Sequence, residues 1–129
     1  MYKRQDVSFL SKIEKNLFFA TLKNRNLLEE SLKELNKGKV DPKYFGDLLN
    51  QQHRILRDDL NVSTRKIESM LSASKQAGAF GGKINGSGGG GCMFAYAPDN
   101  PKKVASAIES VGGRAYIIGK DEGTKILFK

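Results

Sequence analysis

Gly78-Ala79-Phe80-Gly81-Gly82-Lys83-Ile84-Asn85-Gly86-Ser87-Gly88-Gly89-Gly90-Gly91-Cys92 is the stretch on which the reading of this chain turns. Eight of the 14 glycines fall between residues 78 and 91. Phe80 to Asn85 and Cys92 to Ala97 read as two short strands, with the glycines between them as the loop of a hairpin. Five glycines in the six positions 86–91 permit positive φ and let the backbone approach another surface with no Cβ in the way. Successive amides in such a loop can turn inward and bind an anion. A glycine run also suits a flexible linker, but linkers join domains, and this loop joins two β segments of one domain. It is not a Walker loop, because the Gly-x-x-x-x-Gly-Lys-Ser/Thr spacing is absent. Nor is it a dinucleotide fingerprint, which would open a helix rather than enter a strand.

Upstream of this hairpin the chain is helical. Leu10, Ile13, Leu17 and Thr21, then Leu28, Leu32 and Leu35, step by three or four. Asn26 with Glu29 three residues later is a capping signature that can break this stretch in two. Asp41-Pro42 opens the next helix, with the stripe Phe45, Leu48, Leu49, Gln52, Ile55 and Leu56. A third helix starts at Ser63 or Thr64, buries Ile67, Met70, Leu71 and Ala77, and stops at Gly78. Downstream, Asn100-Pro101 opens a helix through Val104, Ile108 and Val111, closed by Gly112. Arg114 to Ile118 and Lys125 to Phe128 read as strands joined by the turn Asp121-Glu122-Gly123. The expected fold is therefore α+β and ferredoxin-like: a mainly antiparallel sheet of about four strands, helices on one face, and an N-terminal helical stretch.

Composition narrows the function classes. The 129 residues carry 22 Lys and Arg against 14 Asp and Glu, a formal charge of +8. The lysines alternate with glutamates along the helices, and Phe9, Phe18, Phe19, Phe45 and Phe80 occupy apolar-periodic, core-like positions. That pattern reads as a solvated surface, not a nucleic-acid-binding face. No apolar run approaches the ~20 residues of a membrane span. One cysteine, Cys92, and one histidine, His53, exclude an internal disulfide and a Cys/His zinc site. The start lacks the apolar core of a secretory signal, so a reducing cytoplasm is the expected compartment. Met1 to Gln5 does not share the pattern of the residues after it, and it matches the translation of a transposon end used in sequencing libraries. It is set aside as a non-native scar, which leaves residues 6–129 as one domain from the tail of a longer protein.

The segment 78–92 resembles the third conserved motif of the galactokinase, homoserine kinase, mevalonate kinase and phosphomevalonate kinase (GHMP) superfamily. Phe45-Gly46-Asp47-Leu48-Leu49-Asn50, His53, and Leu56-Arg57-Asp58-Asp59-Leu60-Asn61-Val62-Ser63 resemble the galactokinase version of the same C-terminal domain. The unbroken Gly88 to Gly91 is closer to mevalonate kinases, since galactokinases usually place a phenylalanine in this loop. The resemblance, over roughly residues 24–118, implies a domain that closes one side of a kinase active site. Its glycine loop Gly86, Ser87, Gly88, Gly89, Gly90 and Gly91 would lie against nucleotide and substrate, with Lys83 a candidate near phosphate. It implies ATP, magnesium and a sugar substrate, with mevalonate kinase as the alternative. The phosphate loop, catalytic aspartate and magnesium ligand of the family belong to an N-terminal domain, so no catalytic or metal-binding residue is expected here and that missing domain is the expected partner. The bare surface it leaves predicts self-association. A rival of another class is a stand-alone α+β module that holds an anion or a partner with the same loop.

The residues themselves carry plainer readings. Lys83 fits an outward-facing strand lysine. Ser87 fits a phosphate donor or a small turn residue equally. Cys92 fits a small hydrophobe at the start of a buried strand, and His53 a partly exposed helix histidine. Asp58 and Asp59, adjacent on a helix and about 100° apart, do not converge on one ion and are expected to end the helix through backbone hydrogen bonds.

Overall fold

Ser11 accepts from the Glu14 amide while Glu14 reaches back to the Ser11 amide, a closed capping box that starts α1, Lys12–Leu35. The computed structural model describes residues 7–119 and Gly123, so the suspected scar lies outside the described residues. α1 runs without a break through Asn24-Arg25-Asn26, so the second cap expected at Asn26 does not form. Asn26 sits on a helix whose neighbouring turns already satisfy its backbone, and an Asn cap is useful only where amides are orphaned. Phe9, at 80% exposure, and the half-exposed Phe19 are not core residues as their spacing suggested. Ile13, Leu17, Leu28, Leu32 and Leu35 share one side of α1, within about 100° on the helical wheel, and are all exposed.

Glu34 is the buried charge at the end of this helix, only 2% exposed. Its carboxylate takes the Lys37 ammonium at 2.6 Å and the Asp41 amide at 2.8 Å. These bonds, the one from Lys37 foremost, hold its pKa below the ordinary value. Asp41 in turn caps α2, Pro42–Arg54, through the Lys43 and Tyr44 amides. A π-turn, Ile55–Asp59, continues α2. Thr64 then caps α3, Arg65–Gln76, by accepting from the Ile67 amide.

Two strands come next, β1 Gly81–Asn85 and β2 Cys92–Tyr96, paired antiparallel with Lys83 opposite Phe94 and Asn85 opposite Cys92. α4, Pro101–Ser110, closes the described fold. Ile67, Met70, Ala77, Ala79, Ile84, Val104 and Ile108 form its core, with Leu56, Val62 and Leu71 packed on it.

About four strands were expected, and among the described residues two form. Among the described residues Arg114 to Ile118 belongs to no strand, and Lys125 to Phe128 lies outside the described residues, as do Asp121 and Glu122 of the turn. The expected packing of helices on one face of the sheet does not extend to α2. A Cβ on Gly82 would meet Leu71 of α3, whereas a Cβ on Gly81 would meet Gly46 of α2 at 2.0 Å. Successive strand residues face opposite sides, so α2 and α3 flank β1 from opposite sides.

α2 approaches β1 closely because neither contact residue has a side chain. A Cβ on Gly46 would lie 2.5 Å from the Phe80 carbonyl carbon. One turn later Asn50 donates Nδ2 to the Phe80 carbonyl at 3.1 Å and accepts the Gly82 amide at 3.3 Å. Its amide thus pairs with the strand edge as a peptide would. Gly46→Ala is expected to cost about 1–3 kcal/mol by overpacking, read as a lower urea midpoint. Gly119→Ala, with nothing within 4 Å of its added Cβ, is the control and should leave the midpoint unchanged.

Candidate functional site

The loop between β1 and β2 is built almost entirely from left-handed backbone. Gly86, Gly88, Gly89, Gly90 and Gly91 have φ of 86°, 80°, 76°, 137° and 81°. Side chains with a Cβ rarely adopt these values, which is why the run is glycine. Gly89 donates its amide to the Val62 carbonyl at 2.7 Å, and Gly88 sits so close to Val62 that a Cβ would reach its side chain at 2.6 Å. Around Gly86, Gly89, Gly90 and Gly91 the space a Cβ would fill is open. Among the described residues no backbone acceptor meets the amides of Gly88, Gly90 and Gly91. The loop is therefore pinned at one point and presents free N–H groups elsewhere, as an anion-binding backbone requires. Ser87 is exposed on the same loop.

Lys83 stands in the middle of β1 and is not the fully outward strand lysine its position suggested. Its Nζ donates to the Ile84 carbonyl at 2.8 Å and lies 5.6 Å from the Phe94 ring centroid. Partial burial lowers its pKa. Cys92, expected at the start of a buried strand, is exposed and free. It is the first residue of β2, beside the loop and opposite the exposed Asn85.

The segment that pins the loop is itself held by a cluster that sequence reasoning missed. Glu68 Oε1 meets His53 Nε2 at 2.8 Å and accepts from the Ser63 hydroxyl, while Oε2 accepts from Arg57 Nη1 at 3.3 Å. Burial pushes the Glu68 pKa up, but the bonds from Ser63, His53 and Arg57 together outweigh it and leave the carboxyl below its ordinary value. Beside an ionised Glu68, His53 donates through Nε2, and no donor among the described residues meets its Nδ1. His53 is buried, not partly exposed as its helix position suggested, because the stripe of α2 turns it toward α3. Arg57 also forks onto Asp58, at 2.7 and 2.9 Å. Asp58 is thus spent on a side chain instead of the backbone turn expected of it. The legible clue was Glu68 in the first turn of α3, where a helix dipole favours an acid. Nothing in a linear reading brings His53 to it.

Among the described residues no three of His, Cys, Asp and Glu come together as a metal site. No helix among them is long and apolar enough to cross a membrane.

Residues 24–114 match the family described as GHMP kinases C terminal. The mevalonate kinase of Thermococcus onnurineus is 48% identical over 83 residues, 64% of this chain and 25% of that protein. The galactokinase of Lactococcus lactis is 40% identical over 74 residues, 56% of this chain and 18% of that protein. The crystal structure of Lactococcus lactis galactokinase complexed with galactose superposes with a TM-score of 0.58 at 28% identity, covering 85% of this chain and 33% of that one. The chain thus spans about a quarter or less of the length of these two sequence relatives.

The Glu68 cluster has a pH consequence. A carboxyl whose folded pKa lies below its unfolded value contributes stability above the ordinary carboxylate range and loses it as pH falls through the folded value. Glu14, Glu34 and Asp58 are lowered as well. Glu68→Gln should therefore flatten the acid limb of urea midpoint against pH without abolishing it. An unchanged acid slope in the variant would show that the cluster does not couple to folding.

Proposed function

The chain belongs to the GHMP kinase family, as its C-terminal domain, and from that premise we propose that it forms one wall of a mevalonate-phosphorylating active site. The observation that carries the reading is the glycine loop, pinned at Val62 and otherwise offering free amides from left-handed backbone. Amides aimed at a phosphoryl oxygen stabilise the charge that moves during transfer and need no rearrangement to do so. The bare backbone of Gly89, Gly90 and Gly91 lets a second surface and its phosphates come close. ATP and magnesium are the expected reactants, in keeping with the family to which the chain belongs.

Mevalonate is favoured over a sugar on two counts. The mevalonate kinase relative is more identical to this chain than the galactokinase relative. The unbroken Gly88 to Gly91 run is of the mevalonate kinase kind. Arg57 and Asp58, which pointed toward galactokinase, are spent on one another and on Glu68.

The remainder of the enzyme would cover the apolar side of α1. Five large apolar residues on one helix face remain 41–72% exposed in the described fold, and the chain spans only a fraction of its relatives. An exposed patch of this kind favours association. The isolated chain is expected to sediment above monomer mass and to bind a hydrophobic dye, both relieved by Leu28→Glu with Leu32→Glu. A clean, dye-silent monomer would argue for a finished surface.

A chimera tests the activity. This chain is grafted in place of the matching segment of the Thermococcus onnurineus mevalonate kinase and, separately, of the Lactococcus lactis galactokinase. ATP-dependent turnover is expected in the first host and not in the second; the reverse result would return the sugar reading. In the active chimera Gly89→Val, strained by about 1–3 kcal/mol in its left-handed backbone, should lower kcat roughly a hundredfold by misplacing the loop. Normal turnover in that variant would make the loop a passive connector.

A further inference from the structure

We infer that Glu68 is a positioning residue for the glycine loop, acting on it through Ser63 and Val62 without hydrogen-bonding to it. The inference rests on the reading that this loop faces the reactants. A run of glycines has little stiffness of its own, and among the described residues its one anchor outside the hairpin is Val62, through the Gly89 amide and the close approach of Gly88. Where Val62 sits therefore decides where the loop sits.

Val62 lies in the connection between the π-turn and α3, next to Asn61, whose φ of 52° is left-handed. Besides the packing of Val62 against the core, two hydrogen-bonded tethers hold this connection. On one side the Val62 amide bonds to the Leu56 carbonyl at 3.0 Å. On the other the Ser63 hydroxyl bonds to Glu68. The Glu68 carboxylate then collects His53 from α2 and Arg57 from the π-turn. Three segments that precede the loop in sequence thus converge on one side chain. Capping α3 does not account for this, because Thr64 already accepts the Ile67 amide.

Residue-resolved amide hydrogen exchange on the 129-residue chain separates positioning from a general structural role. Glu68→Ala should speed exchange at Gly89 about tenfold, the scale of one lost hydrogen bond to a charged group. The amides of Ile84, Val104 and Ile108 in the core should lose clearly less protection than Gly89, by no more than the fall in overall stability measured for the same variant. Ser63→Ala should do the same, and the double variant should add nothing to either single one, because both remove the same link. Glu68→Gln, which keeps an oxygen for Ser63, should restore most of the protection. Unchanged exchange at Gly89, exchange that rises in step with the core, or effects that add would each overturn the inference. Exchange asks nothing of activity, so an inactive chimera with a coupled loop would count against the kinase reading and leave the positioning role standing.

Discussion

Backbone-to-backbone contact between a helix and the start of a strand is the constraint on which the rest of this domain depends. It exists because Gly46 and Gly81 both lack a Cβ. With the two backbones in contact, Asn50 falls where its side-chain amide can pair with Phe80 and Gly82, and the edge of β1 is satisfied by a helix instead of a third strand. Asn50 thereby meets the Phe80 carbonyl and the Gly82 amide at the start of that edge. The same contact sets the rotation of α2 about its axis, and His53, one turn beyond Asn50, is carried toward α3 and Glu68.

From there the structure passes position along the chain by hydrogen bonds. α2 and the π-turn meet Glu68, Glu68 holds Ser63, and the connection that includes Val62 receives the glycine loop. Val62 also packs on the core of Ile67, Ile84 and Val104. The loop is thus held at its middle, Gly88 and Gly89, against Val62 and left open around Gly86, Gly90 and Gly91, which suits close approach by a second surface. A wholly free loop would lose entropy on each such meeting; one with side chains would keep its partner at a distance.

Much of the local architecture was legible because it depends on neighbours in sequence. The caps at Asp41 and Thr64, the stops at Gly78 and Gly112, and the two strands flanking the glycines are set within a few residues. The errors have a common cause. The break expected at Asn26, the core role of Phe9, the burial of Cys92 and the exposure of His53 were each inferred from a local pattern. Which side of an element is covered depends on elements far away in the chain. The Glu68 cluster was invisible for the same reason, with partners five, eleven and fifteen residues away, on separate segments.

By itself the sequence determined the helices, the hairpin and the glycine loop, because glycine freedom, helix periodicity and capping chemistry act over short separations. It also determined that Gly88 to Gly91 could be left-handed. The kinase family was legible only through the resemblance of residues 78–92 to a known motif. Only the tertiary structure decided that these glycines are pinned at Val62 and that α2 and α3 flank β1 from opposite sides. Only there do His53, Arg57 and Ser63 meet on one carboxylate. Those outcomes depend on long-range packing, where a missing Cβ on each of two distant residues sets how closely two backbones approach, and no local pattern records that distance.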